Sequence, residues 1–86
     1  MVSITLYSAQ GCGYCSAAES LLRRKGVTQW HKVAVDHEPG MLEKMIERTG
    51  RRTVPQIFIG ALHVGGFDDL LALDRQGKLD ELLNAL

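Results

Sequence analysis

The 86-residue chain has little cysteine, little histidine and no excess charge of either sign. Ten basic residues balance ten acidic ones, and no helix carries a basic stripe. This argues against nucleic-acid binding and against long-range attraction of anionic partners. Only two cysteines and three histidines are present, and the histidines His31, His37 and His63 stand at no metal-ligand spacing. A zinc site, which needs about four ligands, is therefore disfavoured.

The chain also lacks a long hydrophobic run. No apolar stretch approaches the roughly 20 residues that a membrane-spanning helix needs. The first six residues carry no basic segment and alternate apolar with polar, unlike a secretory signal. We therefore expect no membrane association and a cytoplasmic location, where thiols are kept reduced. With 45% hydrophobic and 23% charged residues, we expect one globular domain spanning residues 1–86.

Hydrophobic periodicity predicts eight elements in the order β-α-β-α-β-β-α-α. The predicted strands are residues 2–7, 30–35, 56–59 and 62–64. The predicted helices are residues 13–25, residues 41–50 after Pro39-Gly40, residues 67–73 after Gly65-Gly66, and residues 79–86. Gly26 is predicted to end the first helix, and Arg23, Arg24 and Lys25 are expected to be solvated there.

The element order predicts an α/β fold. A helix joins the first two strands, so they should be parallel with a right-handed crossover. The last two strands should form an antiparallel hairpin around Gly60-Ala61. We expect a four-stranded mixed sheet of order 2-1-3-4 with helices on both faces.

The residues with the clearest chemistry are Cys12-Gly13-Tyr14-Cys15, at the predicted start of the first helix. A helix N-terminus presents unpaired N–H groups that favour a thiolate. That environment lowers a thiol pKa from about 8.5 to about 3.5–7.5. We expect Cys12 to attack disulfides as the nucleophile and Cys15, one turn deeper, to resolve the mixed disulfide. A structural disulfide, a zinc site or two inert buried cysteines are the alternatives.

Three motifs in register resemble the glutaredoxin family of the thioredoxin-fold superfamily. They are Cys12-Gly13-Tyr14-Cys15, close to the family's Cys-Pro-Tyr-Cys, then Thr53-Val54-Pro55, and Gly65-Gly66-Phe67-Asp68-Asp69. With the element order, they cover nearly the whole chain. The resemblance implies a monomeric, glutathione-dependent oxidoreductase of the dithiol type that reduces protein–glutathione mixed disulfides and small disulfides. Its partners would be glutathione and disulfide-containing proteins, with no tightly bound cofactor.

The resemblance also implies a glutathione site. Pro55 would be a cis-proline, the Val54 backbone would pair with the glutathione cysteine, and the N–H groups of Phe67 and Asp68 would hold the γ-glutamyl carboxylate. Asp68, rather than Asp69, is favoured for the α-ammonium. The full implied set is Tyr14, Arg52, Thr53, Val54, Pro55, Gly66, Phe67 and Asp68.

Two departures from the family pattern bear on function. Ala9 stands where the family commonly has a lysine for the glycine carboxylate, so Arg52 is predicted to carry this contact, with Gln10 or Gln56 assisting. Gly13 replaces the family's proline. Some members without that proline bridge a 2Fe-2S cluster between two subunits through the first cysteine and glutathione. A cluster-bridged dimer with Cys12 as ligand is therefore the alternative function, and brown anaerobically purified protein would favour it.

Overall fold

The computed structural model describes residues 2–84 and confirms the predicted order of elements. The strands are β1 (Ile4–Ser8), β2 (His31–Ala34), β3 (Gln56–Ile59) and β4 (Leu62–Gly65). The helices are α1 (Gly13–Arg24), α2 (Met41–Thr49), α3 (Phe67–Arg75) and α4 (Lys78–Asn84). The predicted extension of the last helix to Leu86 lies outside the described residues. No helix within residues 2–84 is long and apolar enough to cross a bilayer.

The four strands form one mixed sheet in the order β2-β1-β3-β4, as predicted. Strand β1 is parallel to β2, with Tyr7 opposite Val33. Strand β3 is antiparallel to both of its neighbours, β1 and β4. This order puts the end of β1, which leads to the cysteines, next to the start of β3, which follows Pro55.

Alternating side chains of the sheet enter two separate cores, one on each face. Leu6 and Ile57 are fully buried against α1, α3 and α4. Tyr7 and Phe58, one residue further along, pack with Met45 of α2 on the opposite face. The period-2 pattern of β1 and β3 therefore decides which helices cover each face, and the prediction of helices on both faces is confirmed.

The ends of the first two strands differ from the prediction. Ser8 belongs to β1, because it pairs with Ala34 and is almost completely buried. Trp30 precedes β2 instead of starting it, and it packs against the core on the side of α1. Its indole N–H donates to Glu19 at 3.1 Å. Pairing with the neighbouring strand sets both ends. The alternation of side chains along the sequence does not show where that pairing begins or stops.

The prediction that the end of α1 is solvated is wrong for Lys25. Its ammonium lies 2.8 Å from the Asp74 carboxylate and 2.9 Å from that of Asp80. The hydrogen bonds that the ammonium donates to Asp74 and Asp80 raise the pKa of Lys25 above its ordinary value. The contact forms because α3 and α4 fold back onto the end of α1. Arg23 and Arg24 are exposed, as expected.

Candidate thiol redox site

The cysteine pair lies at the start of α1, where the sequence predicted it. Cys12 is the N-cap residue, with an extended backbone, and its sulfur accepts the N–H of Cys15 at 3.1 Å. Cys12 and Cys15 are joined by a disulfide, with their Cα atoms 5.2 Å apart. When the disulfide is reduced, the same N–H and the positive end of the helix favour a thiolate on Cys12.

The two cysteines differ in exposure. Cys15 is 3% exposed and belongs to the buried core, whereas Cys12 is partly exposed. An external disulfide therefore meets the Cys12 sulfur first. Cys15 is close enough to bond to Cys12 but is shielded from other partners, which is the geometry of a resolving thiol.

A second segment, Thr53-Val54-Pro55, borders the Cys12 sulfur. The Cys12 Sγ lies 3.8 Å from the carbonyl oxygen of Val54. The Val54–Pro55 peptide bond is cis, as the resemblance implied. Strand β3 begins directly after Pro55 and pairs with β1, which brings these two distant segments together. The backbone of Val54 thus lies beside the Cys12 sulfur although the two residues are 42 positions apart in the chain.

A cavity of about 250 Å³ extends from this segment to the start of α3. Tyr14, 66% exposed, stacks on Phe67 with ring centroids 6.2 Å apart and forms one side of it. The lining residues are Tyr14, Arg51, Thr53, Val54, Pro55, Gln56, Gly66, Phe67, Asp68 and Asp69. The cavity joins one apolar aromatic wall to several charged and backbone polar groups.

Two charged groups of the cavity, Asp69 and Arg51, contact each other and hold each other in place. The Asp69 carboxylate accepts the N–H of Gly66 at 3.0 Å and lies 3.2 Å from the Arg51 guanidinium. The Gly66 N–H and then Arg51 hold the pKa of Asp69 below its ordinary value. Asp69 thereby caps α3, and the next two N–H groups, of Phe67 and Asp68, have no partner within the helix. Free N–H donors at the start of a helix are chemically suited to an anion.

The contribution of Asp69 to stability is expected to disappear in acid. Its folded-state pKa is lowered, so its contribution is complete above the unfolded-state pKa of about 3.9. The contribution is lost as the pH falls through the folded-state pKa, because protonation removes the charge that Gly66 and Arg51 stabilise. Thermal unfolding of the wild type and of Asp69→Asn from pH 7 to pH 2 should show a gap in Tm that closes at the acidic end.

Asp68→Asn is the matched control for this experiment, because Asp68 is the exposed neighbouring carboxylate on the same helix turn. Asp68 makes neither the Gly66 contact nor the Arg51 contact of Asp69, so we expect Asp68→Asn to lower Tm at pH 7 less than Asp69→Asn does. A Tm gap for Asp69→Asn that stays constant down to pH 2 would contradict the assignment.

The structure brings seven of the eight implied glutathione-site residues to the cavity, and Arg52 is the exception. Among the described residues, the arginine on the cavity wall is Arg51. The segment 51–55 lies outside the strands and helices, so the tertiary structure, and not the alternation of a strand, sets which of the two arginines reaches the cavity. The predicted roles of these residues stay predictions. Gln56 and Asp69 also line the cavity. The prediction from sequence assigned Gln56 only an assisting role and favoured Asp68 over Asp69.

A family model described as glutaredoxin matches residues 4–64, more than half of the chain. The chain belongs to the glutaredoxin family. It is 48% identical to glutaredoxin 3 of Escherichia coli K12 over 83 residues, covering 96% of this chain and 99% of that protein. It is 47% identical to a glutaredoxin of Pseudomonas aeruginosa PAO1 over 85 residues, covering 99% of this chain and all of that protein.

The fold agrees with the same family. The crystal structure of a buckwheat glutaredoxin–glutathione complex superposes with a TM-score of 0.86 at 33% identity, covering 95% of this chain and 76% of that one. Membership of the glutaredoxin family, with Cys12 and Cys15 at bonding distance, assigns thiol–disulfide oxidoreductase chemistry to this site.

Proposed function

We propose that the protein is a glutathione-dependent oxidoreductase that reduces protein–glutathione mixed disulfides and small disulfides. One observation carries the proposal: the Cys12 sulfur lies 3.8 Å from the Val54 carbonyl, at the edge of a cavity with both a cationic and an anionic wall. Glutathione is a peptide-like thiol with two carboxylates and one ammonium, so it needs both kinds of wall. The glutathione complex of the buckwheat relative supports this choice of ligand.

The cavity offers each part of glutathione a chemically suitable partner. The free N–H groups of Phe67 and Asp68 suit the γ-glutamyl carboxylate, and the Asp68 carboxylate suits the neighbouring ammonium. The backbone of Val54 suits the cysteine residue, as an added strand would. Arg51, on the wall of the cavity, is a cation that suits a carboxylate of glutathione. The zwitterionic lining favours glutathione over a singly charged thiol.

Reduction of a glutathionylated protein requires only Cys12. Its thiolate attacks the glutathionyl sulfur, the S–S bond to the protein breaks, and the protein leaves as a thiolate that takes up a proton. A second glutathione thiolate then attacks the glutathionyl sulfur held on Cys12. That step releases glutathione disulfide and restores the Cys12 thiolate, so one free glutathione thiol is consumed for each protein–glutathione mixed disulfide reduced.

Reduction of other disulfides uses both cysteines. Cys12 attacks one sulfur of the substrate and releases the other as a thiol. The Cys15 thiolate then attacks the Cys12 sulfur, releases the second substrate thiol and forms the Cys12–Cys15 disulfide that the structure contains. Two glutathione molecules return the pair to the dithiol form. The burial of Cys15 restricts it to this internal step.

Recognition of glutathione itself is testable with Arg51 and Arg52. The wild type should turn over a glutathionylated peptide with a lower KM than the same peptide carrying cysteine, which lacks the γ-glutamyl and glycine groups. Arg51→Ala should raise the KM for the glutathionylated peptide roughly tenfold, the loss of one charge-assisted hydrogen bond. Arg52→Ala is the matched neighbouring variant and should have a smaller effect, because Arg52 does not line the cavity.

The cysteinylated peptide is the internal control, because its KM should not respond to Arg51→Ala. Equal KM values for both peptides in the wild type would contradict glutathione dependence. A larger effect of Arg52→Ala than of Arg51→Ala would favour Arg52 as the cation that contacts glutathione, as predicted from the sequence for the glycine carboxylate.

The described residues of one chain do not supply all the ligands that a bridged 2Fe-2S cluster needs. Within residues 2–84, no three histidine, cysteine, aspartate or glutamate side chains form a group able to hold a metal. Cys12 would supply a single thiolate, and glutathione and a second chain would have to supply the rest. The monomeric state, the single-domain organisation and the cytoplasmic location remain part of the proposal.

A further inference from the structure

Gln56 is a buried polar side chain beside the reactive segment. It is the first residue of β3, directly after Pro55, and it is 1% exposed. An uncharged amide that leaves water must have its hydrogen bonds replaced by the protein. The Gln56 amide replaces them with bonds to the segment on one side and to β4 on the other.

The Thr53 carbonyl fixes the direction of these hydrogen bonds. The Gln56 Nε2 lies 3.0 Å from the Thr53 carbonyl oxygen and 3.3 Å from its hydroxyl. A carbonyl only accepts, so the amide NH₂ group must face Thr53. The amide oxygen then faces His63, whose Nε2 lies 2.8 Å away and must carry the proton. The chain of donation therefore runs from His63 to Gln56 to Thr53.

His63 is held in place for this role. Its ring stacks on Phe58, with centroids 5.0 Å apart and planes inclined by 28°. Burial, and then the positive charge of Arg51, lower the pKa of His63, which favours the neutral ring. A neutral ring has one N–H, and the contact with Gln56 places it on Nε2.

The Thr53 carbonyl controls the orientation of a second group. The Thr53 C=O and the Val54 N–H belong to one peptide plane, and in a trans peptide they point in opposite directions. A hydrogen bond that holds the Thr53 oxygen toward Gln56 therefore aims the Val54 N–H away from Gln56. The segment lies outside the strands and helices, so neighbouring strands do not hold this plane.

We propose that Gln56 and His63 are positioning residues that orient the Thr53–Val54 peptide for pairing with the substrate's glutathionyl group. Neither residue exchanges a proton or an electron with the substrate. Gln56 acts through the peptide plane, and His63 acts through Gln56. The proposal rests on the proposed function, because the substrate backbone that Val54 would pair with is that of glutathione.

The test combines kinetics with a double-mutant cycle. Gln56→Met keeps the length and bulk of the side chain but removes both hydrogen bonds, and should raise the KM for a glutathionylated peptide roughly tenfold with kcat little changed. His63→Phe keeps a ring against Phe58 but removes the N–H donor, and should raise it roughly threefold. The double variant should match Gln56→Met, because His63 acts only through Gln56.

Two further variants separate positioning from stability. Ile59→Val alters a buried residue of the same strand that does not line the cavity, and should leave KM unchanged while lowering Tm. Gln56→Glu, when ionised, keeps the acceptor for His63 but offers Thr53 no donor, so at a pH where this carboxylate is ionised it should reproduce the KM of Gln56→Met. If Gln56→Met does not fold, Gln56→Glu takes its place in the kinetic test.

Nitrogen NMR of His63 gives a readout that does not depend on turnover. The wild type should show the Nε2–H form, and Gln56→Met should lose that preference. A wild type with no activity on the glutathionylated peptide would overturn the proposed function, whereas an Nδ1–H form of His63 would overturn the hydrogen-bond chain alone. A Gln56→Met or Gln56→Glu variant with wild-type KM, or additive effects in the double variant, would overturn the positioning role.

Discussion

Cys12→Ser is expected to abolish reduction of every disulfide substrate, whereas Cys15→Ser retains reduction of glutathionylated peptides. A serine hydroxyl is not ionised near neutral pH, so the N–H of Cys15 and the start of α1 have no thiolate to stabilise. The loss should be roughly 10³-fold or more, as for removal of other covalent nucleophiles. This is the largest effect that we expect from a single substitution.

The expected activity of Cys15→Ser follows from the position of its side chain. Cys15 is 3% exposed and its sulfur is bonded to that of Cys12, so we expect it to have no part in attack on a glutathionyl group. Its loss should leave deglutathionylation within about threefold of wild type, because the remaining steps are thiolate exchanges on Cys12. Reduction of a disulfide between two peptide cysteines should fall much further, because no internal thiol resolves the mixed disulfide.

A glutathione-coupled assay with both substrates on both variants measures this division of labour. Mass spectrometry of the Cys15→Ser protein should detect one glutathione on Cys12. Retained activity in Cys12→Ser, or loss of deglutathionylation in Cys15→Ser, would contradict the assigned roles.

Gly65→Ala is expected to damage both the stability of the protein and its affinity for the glutathionyl group. Gly65 has a φ of +117°, and a Cβ there would lie 2.8 Å from the carboxyl carbon of Asp69. The substitution must displace Asp69 from the Gly66 N–H and from Arg51, which removes the cap of α3. Backbone strain of about 1–3 kcal/mol adds to a lost cap of about 1 kcal/mol. The KM for a glutathionylated peptide should rise roughly tenfold or more, since the anion-binding turn is rebuilt.

Gly77→Ala is the matched control for Gly65→Ala. Gly77 also has a positive φ, of +74°, but a Cβ there would meet no atom within 4 Å. It should lower Tm through backbone strain alone and leave KM at the wild-type value. Chemical denaturation gives the free energy of unfolding for both variants, and peptide kinetics gives the KM. An equal KM for the two alanine variants would show that Asp69 does not organise the cavity.

Local patterns in the sequence were sufficient for the scaffold and for the reactive sulfur. Pro55 followed by the mostly apolar residues 56–59 located β3, because a proline is tolerated where a strand begins. The Cys12-Gly13-Tyr14-Cys15 motif after a strand located the start of α1, where the structure has Cys12 as the N-cap. Both features depend on residues that lie within about one helix turn of each other. Such short-range geometry can be predicted from the sequence.

The partners of polar side chains across the fold were decided by tertiary structure alone. Lys25 meets Asp74 and Asp80 only because α3 and α4 return to α1. Arg51, not Arg52, reaches the cavity, and no periodic pattern covers the irregular segment before β3 from which this could be predicted.

The sequence by itself thus determined the order of the elements, the sheet and the thiol chemistry of Cys12. The tertiary structure decided which side chains surround that sulfur and how they are held. The contact between His63 and Gln56 crosses from β4 to β3, and no periodicity distinguishes such a pair from two unrelated polar residues. Hydrogen-bond partners depend on distances of a few tenths of an ångström, which are defined only after the strands and helices have packed.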